Sequence, residues 1–86
     1  MSTLIRNPVT VATNALAKRI SFTRSMLVCE LQDGRIINVP LVWYPRLLNA
    51  TKKQRDNWRL IGGGIGIHWP DLDEDLSVKG FLAGAQ

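Results

Sequence analysis

Disulfides, histidine pairs and long apolar runs are all missing from this sequence, and each absence removes a class of function. With a single cysteine, Cys29, no intrachain disulfide can form, and a reducing, cytoplasmic compartment is expected. With a single histidine, His68, one chain cannot build a His–His metal pair or a histidine-based cage, and neither a metal nor a cofactor is expected. No wholly apolar run is longer than the one from Leu41 to Tyr44, far short of the roughly 20 residues that cross a bilayer as a helix, so no membrane association is expected. Ala15-Leu16-Ala17 would suit a signal peptidase, but Asn7, Pro8, Thr10 and Thr13 interrupt any apolar segment before it, and secretion is not expected.

What is present is the balance of a small folded domain: 86 residues, 45% hydrophobic and 21% charged. A chain of this length buries only roughly 60 to 65% of the surface its unfolded form exposes, so its core is thin. The net charge of +4 is unevenly placed, with +7 over residues 1–60 and −3 over residues 61–86. Such a chain can draw a nucleic acid to its front or a basic partner to its tail, or pair front with tail in a homo-oligomer.

The pattern along the chain predicts one α+β domain over residues 15–86, preceded by an arm, 1–14, that is loose or adds an edge strand through Val9 and Val11. Ile20 and Phe22 alternate with polar neighbours from Ala17 to Phe22, Ser25-Met26 turns the chain, and Leu27, Cys29 and Leu31 alternate in a second strand. Asp33-Gly34 then predicts a type I′ hairpin turn, followed by a strand through Ile36, Ile37 and Val39. The result is a three-stranded antiparallel meander, closed by Pro40.

Pro45 suits the first turn of a short helix through Leu48. Thr51-Lys52-Lys53-Gln54 matches a capping box that starts a second helix, running from Lys52 to about Asn57, with Trp58 anchoring its end. Arg59 to Ile61 and Ile65 to Trp69 form the arms of a C-terminal hairpin around Gly62-Gly63-Gly64, and Pro70 stops it. Asp71 to Leu76 is expected to be a turn, and Ser77 to cap a last helix, Val78 to Ala83, ended by Gly84. The fold expected is therefore an antiparallel sheet, meander plus C-terminal hairpin, with two or three short helices.

Several chemistries fail at named residues. A dinucleotide fingerprint starting at Gly64 and Gly66 needs a third glycine where Trp69 stands, and no Gly-Lys-Ser/Thr follows the cluster for a triphosphate loop. Asp71, Asp73 and Asp75 open like a calcium loop, but Leu76 holds the position of its glycine and Leu82 that of its bidentate glutamate. Those acids suit caps of exposed N–H groups instead. A nucleophile pair of Cys29 with His68, oriented by Asp71, has nothing local to activate the thiol, and the chain is taken as a non-enzyme.

Two binding surfaces stand out. Arg46, Lys52, Lys53, Arg55 and Arg59 form a basic set with Trp43, Tyr44 and Trp58 interleaved, which suits phosphate contact, although the aromatics are expected in the core. His68 with Asp71, Asp73, Glu74 and Asp75 forms an outward acidic segment suited to a protein partner.

Leu31-x-Asp33-Gly34-Arg35, Val39-Pro40-Leu41, the Trp58 anchor and the run Ile67-His68-Trp69-Pro70-Asp71-Leu72-Asp73-Glu74-Asp75-Leu76 together resemble the bacterial family called Domain of Unknown Function 2442. The resemblance spans about residues 15–84. It implies a small α+β fold with no established activity. It also implies a gene-pair habit, in which such proteins are encoded beside a small protein of the family numbered 4160 in a toxin–antitoxin-like arrangement, or are fused to a helix-turn-helix domain. The function expected is a non-catalytic protein-binding module, antitoxin-like or regulatory, whose partner is encoded nearby. The alternative is a small nucleic-acid-binding protein using the basic set.

Overall fold

The computed structural model describes residues 15–84, so the arm expected over residues 1–14 lies outside the described residues. Strands β1 (Ala17–Phe22), β2 (Met26–Leu31) and β3 (Ile36–Pro40) form one antiparallel sheet in the order β1-β2-β3. Leu27, Cys29 and Leu31 turn fully inward, as their alternation requires. In β1 the buried residues are Ala17 and Ile20, three apart, because the pairing slips between Ala17 and Arg19. One extra residue there shifts the phase of the pleat, and Lys18 and Arg19 both face out toward Glu30, at 3.9 and 3.1 Å.

Two turn details differ from expectation. Met26 already belongs to β2, and the chain reverses over Thr23 to Ser25, with Thr23 Oγ1 accepting from the Met26 N–H at 3.0 Å. The Asp33-Gly34 hairpin is not type I′, because only Gly34 has positive φ, at 97°. Its loop has three residues. The Gly34 N–H donates to Leu31 O at 3.0 Å and the Leu31 N–H to Arg35 O at 2.8 Å, the bonding of a type I turn followed by a glycine bulge. Asp33 keeps an ordinary φ since its carboxylate accepts from the Arg35 N–H at 3.0 Å and the Arg35 Nε at 2.8 Å. The same contacts, the backbone N–H foremost, hold its carboxyl below the usual carboxylate range.

A single 3₁₀ turn, Leu41–Trp43, leads to helices α1 (Pro45–Leu48) and α2 (Lys52–Asp56). The capping box is complete: Thr51 Oγ1 accepts from the Gln54 N–H at 3.1 Å, and Gln54 Oε1 from the Thr51 N–H at 2.9 Å. Strands β4 (Arg59–Ile61), β5 (Gly66–Trp69) and β6 (Glu74–Ser77) form a second antiparallel sheet in the order β4-β5-β6, and α3 (Val78–Ala83) follows with the Ser77 hydroxyl capping it. Over the described residues the fold is thus α+β, with two three-stranded antiparallel sheets and three short helices.

Strand β6 corrects the turn expected over Asp71 to Leu76. The turn ends at Asp73, whose φ of 50° is left-handed, and Glu74 to Ser77 then pair residue for residue with β5. Nothing in Glu-Asp-Leu-Ser favours a strand locally; the open edge of the buried strand β5 imposes it.

Both sheets share one core. Trp69 is completely buried, edge-on to Phe22 at 6.5 Å, with its indole N–H donating to Arg55 O at 3.0 Å. Phe81 of α3 meets Tyr44 at 6.1 Å, and Trp58 packs half-buried on the same cluster. Trp43, expected in the core, is instead 41% exposed, because the 3₁₀ turn sends only Leu41 inward. No helix of the described residues is long and apolar enough to cross a membrane.

Burial pushes the Cys29 thiol from 9.0 up to about 11. About one thiol in a thousand is then ionised at pH 8, so native Cys29 is expected to resist a disulfide reagent that titrates it fully in denaturant. The unfolded thiol ionises near 9.0 while the folded one keeps its proton to about 11. Stability from this group is present below pH 9 and is lost as pH rises through that window, and a Cys29→Ala chain is expected to show a flatter alkaline fall in Tm.

Candidate functional site

The register of the second sheet sorts its residues into two faces. Leu60, Ile67 and Leu76 stand side by side across β4, β5 and β6 and pack into the core. The rows on either side point the other way: Arg59, His68 and Asp75 in one, Ile61, Gly66 and Ser77 in the next. This outward face carries an apolar groove of about 340 Å³, lined by Ile61, Ile65 and Gly66 and, along β6, by Asp75, Leu76 and Ser77.

The glycines make the groove. Gly62, Gly63 and Gly64 have φ of 62°, 68° and 111°, a run that side chains resist, and the chain leaves it with Ile65 61% exposed. At Gly66 a Cβ would lie 3.1 Å from Ile61 Cγ1 and 3.1 Å from Leu76 O, so the Ile61 side chain lies over bare backbone. Ile61 is itself 41% exposed.

The acidic segment expected to act together is divided. His68 Nδ1 bonds the Asp75 carboxylate across the β5–β6 pairing, and both lie on the outward face. Asp71 accepts instead from Asn57 Nδ2 at 3.0 Å. Asp73 sits at the apex of the turn, and its carbonyl accepts from Arg46 Nη1 at 3.0 Å. Glu74, largely covered, is 3.7 Å from the same guanidinium, and burial together with its charge raises the Tyr44 hydroxyl above its usual range. Asp71 and Asp75 thus bond side chains rather than capping backbone N–H groups, because β6 takes up the backbone that caps were expected to serve. Among the described residues no three His, Cys, Asp or Glu side chains gather as metal ligands would.

The basic set is also not one face. Arg46 clasps the Leu72–Asp73 carbonyls, Lys52 pairs with Asp56 at 2.6 Å, and Arg55 turns inward to Leu47 O and Leu48 O, at 2.8 Å each. Lys53 stays exposed on α2, and Arg59 joins His68 and Asp75 on the groove face. Cys29 is sealed in the first sheet while His68 faces out of the second, so the two are not assembled as nucleophile and base.

Ile61, Ile65 and Gly66 are the site residues that sequence reasoning missed. The signal for Ile61 was present: with Leu60 inward on a strand, its neighbour must face out.

The family described as "Protein of unknown function (DUF2442)" matches residues 17–86. A crystal structure of a protein of unknown function from Rhodospirillum rubrum is similar, with 28% identity and a TM-score of 0.71, covering 81% of this chain and 87% of that one. A solution structure of an uncharacterized protein from Chromobacterium violaceum has a TM-score of 0.72 at 16% identity, covering 99% of this chain and 84% of that one, and is alike in fold. No curated protein matches the chain.

Proposed function

The chain belongs to the DUF2442 family, and we propose that it serves as a non-catalytic protein-binding module whose recognition surface is the outward face of β4-β5-β6. The observation that carries this reading is the groove over Gly66, lined by two exposed isoleucines and by Asp75, with His68 and Arg59 in the neighbouring row of the same face. Apolar side chains left in water around a dent, with charges at the margin, are the arrangement of a docking surface. The gene-pair habit implied by the resemblance makes a neighbouring gene product the partner to test, in an antitoxin-like or regulatory role.

The nucleic-acid alternative is less well supported. Of its five cations, Arg46, Lys52 and Arg55 are engaged within the chain. Binding to duplex and single-stranded probes is expected to be absent even at low salt, where counterion release would favour it most.

Co-expression with the neighbouring product should yield a complex that Ile65→Asp weakens about tenfold or more, since a buried isoleucine contributes about 1.5 to 3 kcal/mol. If the folded variant binds as tightly as the wild type, or the chain forms no complex with the neighbouring product or with itself, the reading is wrong.

A further inference from the structure

The outward face has an order of charge that selects an occupant. One of its two rows runs Arg59 on edge strand β4, His68 on β5 and Asp75 on edge strand β6, so a cation stands at one margin and an anion at the other. From this order we infer that the partner seated on the groove is a second copy of this chain, docked face to face about a two-fold axis parallel to β5. The inference rests on the protein-binding reading above and adds the partner to it.

A two-fold axis lying between two facing sheets can run along the strands or across them. Along β5, it exchanges the left and right margins, so β4 of each copy lies over β6 of the other. Arg59 then faces Asp75 of the second copy, and the pair occurs twice. Across the strands, the axis lays β4 on β4 and β6 on β6, and neither charge meets its opposite. Only the first arrangement uses the charge order.

The same axis suits the apolar row. Ile61 comes to face Ser77 of the second copy, and the two Gly66 positions, each overlaid by the Ile61 side chain of its own copy, meet at the axis. Strands of the two sheets stay near parallel, as in aligned sheet packing at about 10 Å, a gap that an arginine and an aspartate reach across together.

The face is small. Three strands of three or four residues present a patch roughly 10 to 15 Å on a side, well below the roughly 800 Å² per partner of a stable complex. The dimer is therefore weak and transient, and it loosens with salt. A heterologous partner would dock by displacing the second copy.

Sedimentation of the full chain from about 10 µM to 1 mM tests this. Wild type should dimerise with concentration, and about 0.5 M salt should weaken it several-fold. Arg59→Asp and Asp75→Arg alone should each weaken the dimer about tenfold, and the double charge reversal should restore it to within about threefold, which a purely structural role for either residue would not produce. Because Asp75→Arg also removes the bond to His68, Arg59→Ala and Ile65→Asp provide a second route, each expected to lower dimerisation with the melting curve unchanged.

A wild-type chain that stays monomeric to 1 mM, or a dimer untouched by these variants or not restored by the double reversal, overturns the inference. If the monomer still binds a neighbouring product in a way Ile65→Asp disrupts, the second copy falls and the docking face stands. If it binds nothing, both fall.

Discussion

Gly64→Ala is expected to cost about 4 kcal/mol of unfolding free energy, against about 1 kcal/mol for Gly63→Ala one residue earlier. Both glycines have positive φ, 111° and 68°, but only one is crowded. A Cβ at Gly63 meets nothing within 4 Å, whereas at Gly64 it would lie 2.5 Å from Ala17 O and 3.0 Å from Ala17 N. That clash is with backbone, which cannot swing aside as a side-chain end can. It would drive the start of β1 away from the glycine loop, at the seam where Gln32 Nε2 donates to Ala17 O at 3.3 Å and to Gly63 O at 3.1 Å.

For a domain of this size, whose whole stability is about 4 to 13 kcal/mol, a loss of 4 lowers Tm by roughly 15 to 30 °C. Thermal melts of the two variants side by side read the close approach together with the larger φ penalty at Gly64, whose 111° lies beyond the left-handed well that Gly63 occupies at 68°. Equal losses would mean that the two sheets do not meet at Gly64 as described.

The difference between these two glycines marks where sequence reasoning stops. Three consecutive glycines announce a turn, because positive φ is written into the residue type. Which one touches another strand depends on Ala17, 47 positions away. The capping box at Thr51 and the helix from Val78 to Ala83 were legible for the same local reason: donor, acceptor and stop lie within a few residues.

Strand β6 was not legible, since Glu74 to Ser77 become a strand only through pairing with β5. The site divides in the same way. His68 and Asp75 could both be placed outward, but seven residues of separation gave no sign that register sets them side by side. Local pattern also grouped Glu74 with Asp75, although adjacent residues on a strand face opposite ways and only Asp75 reaches the groove.

Arg55 is the sharpest case of a residue whose role the sequence concealed, and Arg55→Met is expected to cost about 2 to 3 kcal/mol. In a basic run it looked like a phosphate contact. In the fold its Nε donates to Leu47 O and its Nη2 to Leu48 O, each at 2.8 Å, adding to the Ala50 N–H that Leu47 O accepts at 3.2 Å and pairing the Leu48 carbonyl at the end of α1. The guanidinium also lies 5.8 Å over the Phe22 ring, and Arg55 O accepts the Trp69 indole N–H at 3.0 Å. One residue thus ties α1, α2, β1 and β5.

Methionine keeps most of the aliphatic stem and removes the charge and the fork, so the loss reads the two hydrogen bonds and the ring contact. Lysine restores the charge but not the planar fork, and Arg55→Lys is expected to recover only about half of the deficit. Urea unfolding with an unchanged m-value checks both numbers. The outcome also decides how binding data on this surface should be interpreted: a partner or nucleic acid lost with Arg55→Met is lost because α1 has come away from the core. A loss under about 0.5 kcal/mol would instead return Arg55 to the surface and to the phosphate-binding set.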